Sequence, residues 1–193
     1  NIGIVGRLVP IKNHRLFLES AAKVIQDNPA LDLRFKIIGD GELRVELEEF
    51  ARKLNLSSAV EFSGWQKDLP AVYADLDIVC LTSINEGTPV SLIEAMASDK
   101  IVVATDAGGV KDLVGAHFDG AEDGLGFIAG ERGIITKMPN VDSFSGALNF
   151  ALRNEVTSKK MSAAGREFVR EKFARARLIK DIERLYEQVI TLP

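Results

Sequence analysis

Short apolar runs alternate along this chain with longer stretches in which apolar positions recur every three or four residues. The runs cover residues 2–5, 33–38, 60–62, 78–81, 101–104 and 133–136. They are too short for helices and too continuously apolar for strands with one wet face, so they predict strands of a parallel sheet covered on both sides. The helical period falls between them, at residues 13–27, 42–54, 69–74, 89–97, 109–114 and 142–153. Such alternation builds right-handed βα units, and hence an α/β, doubly wound, Rossmann-like parallel sheet. Ligands of doubly wound sheets bind beyond the carboxyl ends of the strands.

Two further stretches depart from that rhythm. From residue 158 onward Phe168, Phe173, Leu178, Ile182, Leu185 and Val189 stand among charges of both signs, which predicts a helical tail of two helices. Residues 115–132 carry Gly115, Gly120, Gly124, Gly126 and Gly130 among acids and predict an irregular excursion. No composition shift marks a linker, so residues 1–193 are expected to form a single domain. The chain opens at Asn1 directly into a strand-like run, without an initiator Met, and is expected to be a fragment of a longer protein.

Composition narrows the function classes. An apolar content of 46% with 27% charged residues is that of an ordinary globular protein, and no run approaches the roughly 18 to 20 apolar residues of a membrane span. The net charge of −4 argues against nucleic acid as a partner, because that binding rests on neutralising phosphates. Cys80, the single cysteine, lies in an apolar run and reads as a buried thiol in a reducing cytoplasm. His14 and His117 stand in no Cys/His cluster, so no metal site is expected.

The candidate chemistry collects where strands end. The segment Glu86-Gly87-Thr88-Pro89-Val90-Ser91-Leu92-Ile93-Glu94 leaves the fourth strand and enters a helix. Thr88 suits the N-cap and Pro89 the first helical position, where a missing N–H costs nothing. The N–H groups of Gly87, Thr88 and Val90 would then form an anion cradle, and an acceptor-only carboxylate on each side suits a hydroxyl-rich ligand. Arg7 and Lys12 lie five residues apart in the turn after the first strand, a pair suited to a diphosphate. Gly39-Asp40-Gly41 is a weak nucleotide signal, because Arg44 occupies the third glycine position of GxGxxG. Asp75-Leu76-Asp77 spells a DxD but opens a strand, and is expected to be structural, with Asp75 ending the preceding helix.

These pieces together resemble a family. The Glu-x7-Glu pattern within EGTPVSLIEAMASDKIVVATDAGGV, with GRLVPIKNH at residues 6–14, IIGDGELRVELEEFARKL at 37–54, VEFSGW at 60–65 and DIERLY at 181–186, is similar to the retaining, family-4-like GT-B glycosyltransferases of group 1, in their C-terminal, donor-binding half. The resemblance implies a nucleotide diphosphate sugar as donor. It implies that Arg7 and Lys12 neutralise the leaving diphosphate, that Glu86 reaches the transferred sugar, and that Glu94 holds the ribose diol. Gly6, Gly41, Gly64, Trp65, Gly87, Thr88, Pro89 and Val90 would border the donor, with Gly64 and Trp65 at the base; Trp65 could equally be a packing residue. No cofactor or metal is implied. The acceptor site is implied to lie in an N-terminal domain of the same enzyme, absent here, and the full-length protein to be cytoplasmic, with peripheral contact at the inner face of the membrane. A GT-B-fold nucleotide-sugar epimerase and a non-catalytic nucleotide-sugar-binding module remain alternatives.

Overall fold

The structure, a computed structural model, describes residues 1–115 and 126–190. Among the described residues seven strands form one sheet, in the order β3-β2-β1-β4-β5-β7-β6. They are β1 (Ile2–Val5), β2 (Phe35–Ile38), β3 (Val60–Gly64), β4 (Ile78–Leu81), β5 (Ile101–Thr105), β6 (Phe127–Ala129) and β7 (Ile134–Thr136). All neighbours are parallel except β6, which runs antiparallel to β7. The six expected strands are therefore present, and the order reverses between β1 and β4. That reversal opens a crevice beyond the carboxyl ends of these two strands.

Helices α1 (His14–Asp27), α2 (Arg44–Lys53), α3 (Leu69–Ala74), α4 (Val90–Ala97), α5 (Val110–Val114), α6 (Val141–Arg153), α7 (Glu155–Lys172) and α8 (Arg175–Ile190) complete the chain. Two cores result, because successive residues of each strand point to opposite faces. Ile2, Ile4, Phe35, Ile37, Ile78 and Cys80 meet Phe17, Leu18 and Ala21 of α1 and Phe144 and Leu148 of α6. Val79, Leu81, Val102 and Ala104 meet Tyr73 of α3, Leu92 and Met96 of α4, and Leu113 of α5. Burial pushes the Cys80 thiol pKa up, consistent with a packing role.

Three local outcomes differ from expectation. The stretch 115–132 contains β6, whose three residues pair with β7 and are followed by a tight return in which Gly130 N–H donates to the Gly133 carbonyl at 2.8 Å. Three residues between glycines are too few to show a period of two. Residues 116–125, with His117, Gly120 and Gly124, lie outside the described residues. Helix α4 starts at Val90, with Pro89 in an extended conformation (φ −74°, ψ 110°) at the N-cap, so Thr88 is not the cap and Pro89 is not the first helical residue. Proline needs no donor at the cap either, and its ring fills a buried position there. The tail starts at Glu155 rather than at 158, since Asn154 alone separates α6 from α7.

Candidate functional site

The crevice between β1 and β4 is built by two connections that lean on each other. After β1 the chain makes a 3-10 turn at Pro10–Lys12, and Asn13 then takes a left-handed conformation (φ 47°, ψ 49°) that starts α1. Asparagine tolerates that region better than most residues. After β4, the buried Thr82 hydroxyl donates to the Lys12 carbonyl at 2.8 Å, and Ile84 N–H donates to the Ile11 carbonyl at 2.8 Å. The Thr105 hydroxyl, at the end of β5, donates to the Ser83 carbonyl at 2.6 Å. Three adjacent strand ends are thus tied by hydroxyl–carbonyl bonds in a place where unpaired polar groups would be costly.

Those ties bring Lys12 and Glu86 together across the reversal point. Lys12 Nζ donates to Glu86 Oε1 at 2.5 Å, and Ser83 Oγ donates to the same oxygen at 2.6 Å. Both side chains are well shielded, with 26% of Lys12 and 12% of Glu86 exposed. Glu86 Oε2 takes no bond among the described residues. The 86–87 loop is pinned from behind: Gly109 N–H donates to the Gly87 carbonyl at 3.0 Å, and a Cβ on Gly108 (φ 54°) would stand 1.8 Å from the Glu86 carbonyl oxygen. Only glycine fits at 108. The N–H groups of Gly87, Thr88, Val90 and Ser91 donate to none of the described residues, which leaves a row of donors at the start of α4.

Arg7 is exposed and pairs with nothing among the described residues. It lines a largely apolar cleft of about 400 Å³ beyond β1, β2 and β3, together with Gly6, Gly39, Asp40, Trp65 and Leu69. Trp65 is 73% exposed, so its ring forms a wall of that cleft and is no part of the core. Gly6 connects the two halves of the site, since a Cβ built on it would lie 3.9 Å from Lys12 Cε. A Cβ on Gly41 would stand 2.5 Å from the Leu8 carbonyl oxygen, and Gly64, the residue before Trp65 at the end of β3, has φ +67°. Of the expected site residues, the structure therefore gathers Lys12, Glu86 and Gly87 to Val90 at the crevice, and Gly6, Arg7 and Trp65 at the cleft beside it.

Glu94, about one turn into α4, is half-buried and accepts a hydrogen bond from the Tyr73 hydroxyl at 2.8 Å. Asp75 ends α3, where its carboxylate pairs with Lys36; Asp75 and Asp77 precede β4 at its amino end, away from the crevice. Sequence reasoning missed Ser83 and Tyr73. Ser83 lies three residues from Glu86, within reach of a turn interaction that its residue type permits. Tyr73 lies 21 residues from Glu94 and carried only the general expectation that a buried phenol finds a partner. His14, also unremarked as a site residue, is 1% exposed at the start of α1 with neither ring nitrogen hydrogen-bonded. Burial, and secondarily the nearby Lys12 charge, hold its pKa down at about 4.

Known proteins resemble this chain in sequence and in fold. The sequence profile of the family described as Glycosyl transferases group 1 matches residues 1–168. A UDP-Gal:alpha-D-GlcNAc-diphosphoundecaprenol alpha-1,3-galactosyltransferase of Escherichia coli is 32% identical over 146 residues, 75% of this chain and 34% of that relative. The Anabaena protein Alr3699/HepE, solved in complex with UDP, superposes with a TM-score of 0.79 at 22% identity, covering 99% of this chain and 48% of that one. The C-terminal domain of a Francisella tularensis glycosyl transferase group 1 family protein, LpcC, superposes with a TM-score of 0.71 at 24% identity, covering 90% of this chain and 86% of that domain. The chain spans less than half the length of the curated relatives it matches. With a profile match over most of its length and the architecture of the C-terminal half of a GT-B fold, the chain belongs to the group 1 glycosyl transferases.

Proposed function

We propose that this chain is the donor-binding domain of a retaining glycosyltransferase, which moves a sugar from a nucleotide diphosphate sugar to an acceptor hydroxyl. The observation that carries the reading is the Lys12–Glu86 contact across the β1/β4 crevice. It sets a cation suited to phosphate beside a carboxylate whose second oxygen is open to a sugar hydroxyl, next to a row of unpaired N–H groups. Complexes of the Anabaena relative with UDP and with UDP-glucose support the same ligand class. On this reading Arg7, Lys12 and the start of α4 hold the diphosphate, Glu86 meets the transferred sugar, Glu94 accepts from the ribose diol, and the base lies in the cleft walled by Trp65.

The chemical step breaks the bond between the anomeric carbon and the leaving diphosphate oxygen while the acceptor oxygen bonds to that carbon from the same face and passes its proton to the departing diphosphate. Negative charge grows on the leaving oxygen, and preorganised donors aimed at it lower the barrier most. Arg7 and Lys12 supply the positive charge that offsets it, so donor binding is proposed to need no divalent metal. An N-terminal part of the enzyme would bring the acceptor. The exposed apolar side chains of α8, among them Leu178, Ile182, Leu185 and Val189, support a further contact surface of that kind, because none of its residues is buried here. No helix among the described residues is long and apolar enough to cross a membrane. The proposed location is the cytoplasm, with any membrane contact peripheral.

Calorimetry of this chain with UDP, GDP and ADP, in chelator, followed by a sugar-transfer assay, tests the reading. One nucleotide is expected to bind and no sugar to be transferred. Failure of all three to bind would overturn the donor-binding role; robust transfer to an acceptor would overturn the division between two domains.

A further inference from the structure

Helix α3 does two things at once. Its first residue, Leu69, lines the cleft beside Trp65, and its fifth, Tyr73, is 1% exposed and donates its hydroxyl hydrogen to Glu94 Oε2. The helix is itself anchored by Asp68, whose carboxylate accepts from Ala71 N–H at 3.1 Å. A glutamate has three rotatable side-chain torsions, and the last is broad and weakly restrained. One hydrogen bond from a rigid, buried phenol removes much of that freedom. Burial pushes the Tyr73 pKa upward, with the Glu94 contact as the second cause, so the hydroxyl stays a donor. Glu94 Oε1 takes no bond among the described residues.

We propose that Tyr73 is a positioning residue that locks the Glu94 carboxylate, leaving Oε1 and the second lone pair of Oε2 to receive the two hydroxyls of a ribose diol. Tyr73 itself touches no ligand. It acts by fixing a plane, and its consequence is selectivity for ribose over sugars that lack the diol. The proposal rests on the reading of Glu94 as the ribose-binding carboxylate. Pre-organising a binding group through a neighbour's hydrogen bond spares the ligand the cost of ordering it.

Calorimetry of the whole chain with UDP, GDP and ADP, each against its 2′,3′-dideoxy form, tests this. For the base the protein accepts, the ribose form is expected to bind at least about tenfold more tightly than the dideoxy form. Glu94→Ala is expected to abolish that preference. Tyr73→Phe is expected to lower it by about fivefold while changing dideoxy affinity less than about twofold, because only the diol uses the fixed plane. Glu94→Asp leaves the core untouched but shortens the reach to Tyr73, and is expected to lower the preference likewise. Full retention of the preference in Tyr73→Phe or Glu94→Asp, with its loss in Glu94→Ala, would overturn the positioning role and leave the ribose reading standing. Parallel loss of ribose and dideoxy binding in Tyr73→Phe would reduce Tyr73 to packing. Retention of the preference in Glu94→Ala would overturn both.

Discussion

Lys12 to Glu86 and Lys36 to Asp75 are two of the lysine–carboxylate contacts that tie distant segments of this chain together. Their chemistry is the same and their surroundings differ. Lys12 and Glu86 meet at the reversal of strand order, with 12% of Glu86 exposed, and two glycine-only backbone approaches stand within a few residues. Lys36 projects from the middle of β2 to the end of α3, where 53% of Asp75 is in solvent and Glu61 stands 3.8 Å away as a second acid. An exposed pair is largely screened and contributes about 0–1 kcal/mol. The shielded pair leaves a carboxylate oxygen unused beside open N–H donors, and that is what a ligand can exploit. A sequence pattern such as DxD names residue types; the position relative to the strand ends decides which carboxylates can act.

The largest expected effect lies in the full-length enzyme. Lys12→Gln is expected to lower kcat by about 100- to 1000-fold, and by more than it raises donor KM, because on the proposed reading the lysine stabilises charge that grows as the bond breaks. Lys36→Gln in the same background should leave steady-state rates within about twofold. Equal losses in the two variants would break the contrast between the two contacts.

Removing the carboxylates separates ligands. Glu94→Ala is expected to weaken nucleoside diphosphate and nucleotide sugar alike, by roughly tenfold or more, as a hydrogen bond to a charged acceptor is lost. Glu86→Ala should weaken only the sugar-bearing donor. The bare diphosphate should bind that variant at least as well as the wild type, because Lys12 is relieved of its counter-ion. Titration calorimetry with both ligands reads these differences, and Asp75→Ala is the control that should change neither.

Acid distinguishes the two regions through stability. The His14 pKa lies near 4 in the folded chain, below its ordinary 6.5, so between these values the unfolded chain binds the extra proton. Its contribution is complete above about pH 6.5, falls as the pH drops through that window, and is on the order of 3 kcal/mol in total. Asp75 behaves oppositely in range: Lys36 lowers its pKa below 3.8, so that pair persists above 3.8 and is lost only in stronger acid. Denaturant unfolding at pH 7.5 and 4.5 should show a loss that is smaller in His14→Leu and unchanged in Asp75→Asn.

Most of the sheet was legible because buried parallel strands are continuous apolar runs, and the two cores follow from their alternation. Strand β6 was not, being three residues long, and α4 began one residue late because Pro89 serves as well at the cap as inside the first turn. At the site, Lys12, Glu86 and Arg7 could be proposed from their places after strands together with the family resemblance, since residue type alone fits a solvated surface as well. Their partners could not. Ser83 and Tyr73 are set by packing between segments, and nothing local in the sequence encodes that the Tyr73 phenol points at Glu94 across 21 residues. Trp65 could be read either as core or as a cleft wall until its exposure was known.

The glycines under the site have a bearing on how such a domain could diverge. Gly39 lies so close to Gly6 that a Cβ would stand 1.9 Å from the Gly6 carbonyl oxygen, and Gly108 presses in the same way on Glu86. Where backbone touches backbone, no side chain can be enlarged or trimmed to shift a loop by a fraction of an ångström, and an altered path must rebuild both segments at once. On the proposed reading, inheritable change in ligand preference is channelled into the side chains that project from those fixed paths, Trp65, Ile84 and Thr88 among them. The chain can vary what it grips while the shape of the hand stays the same.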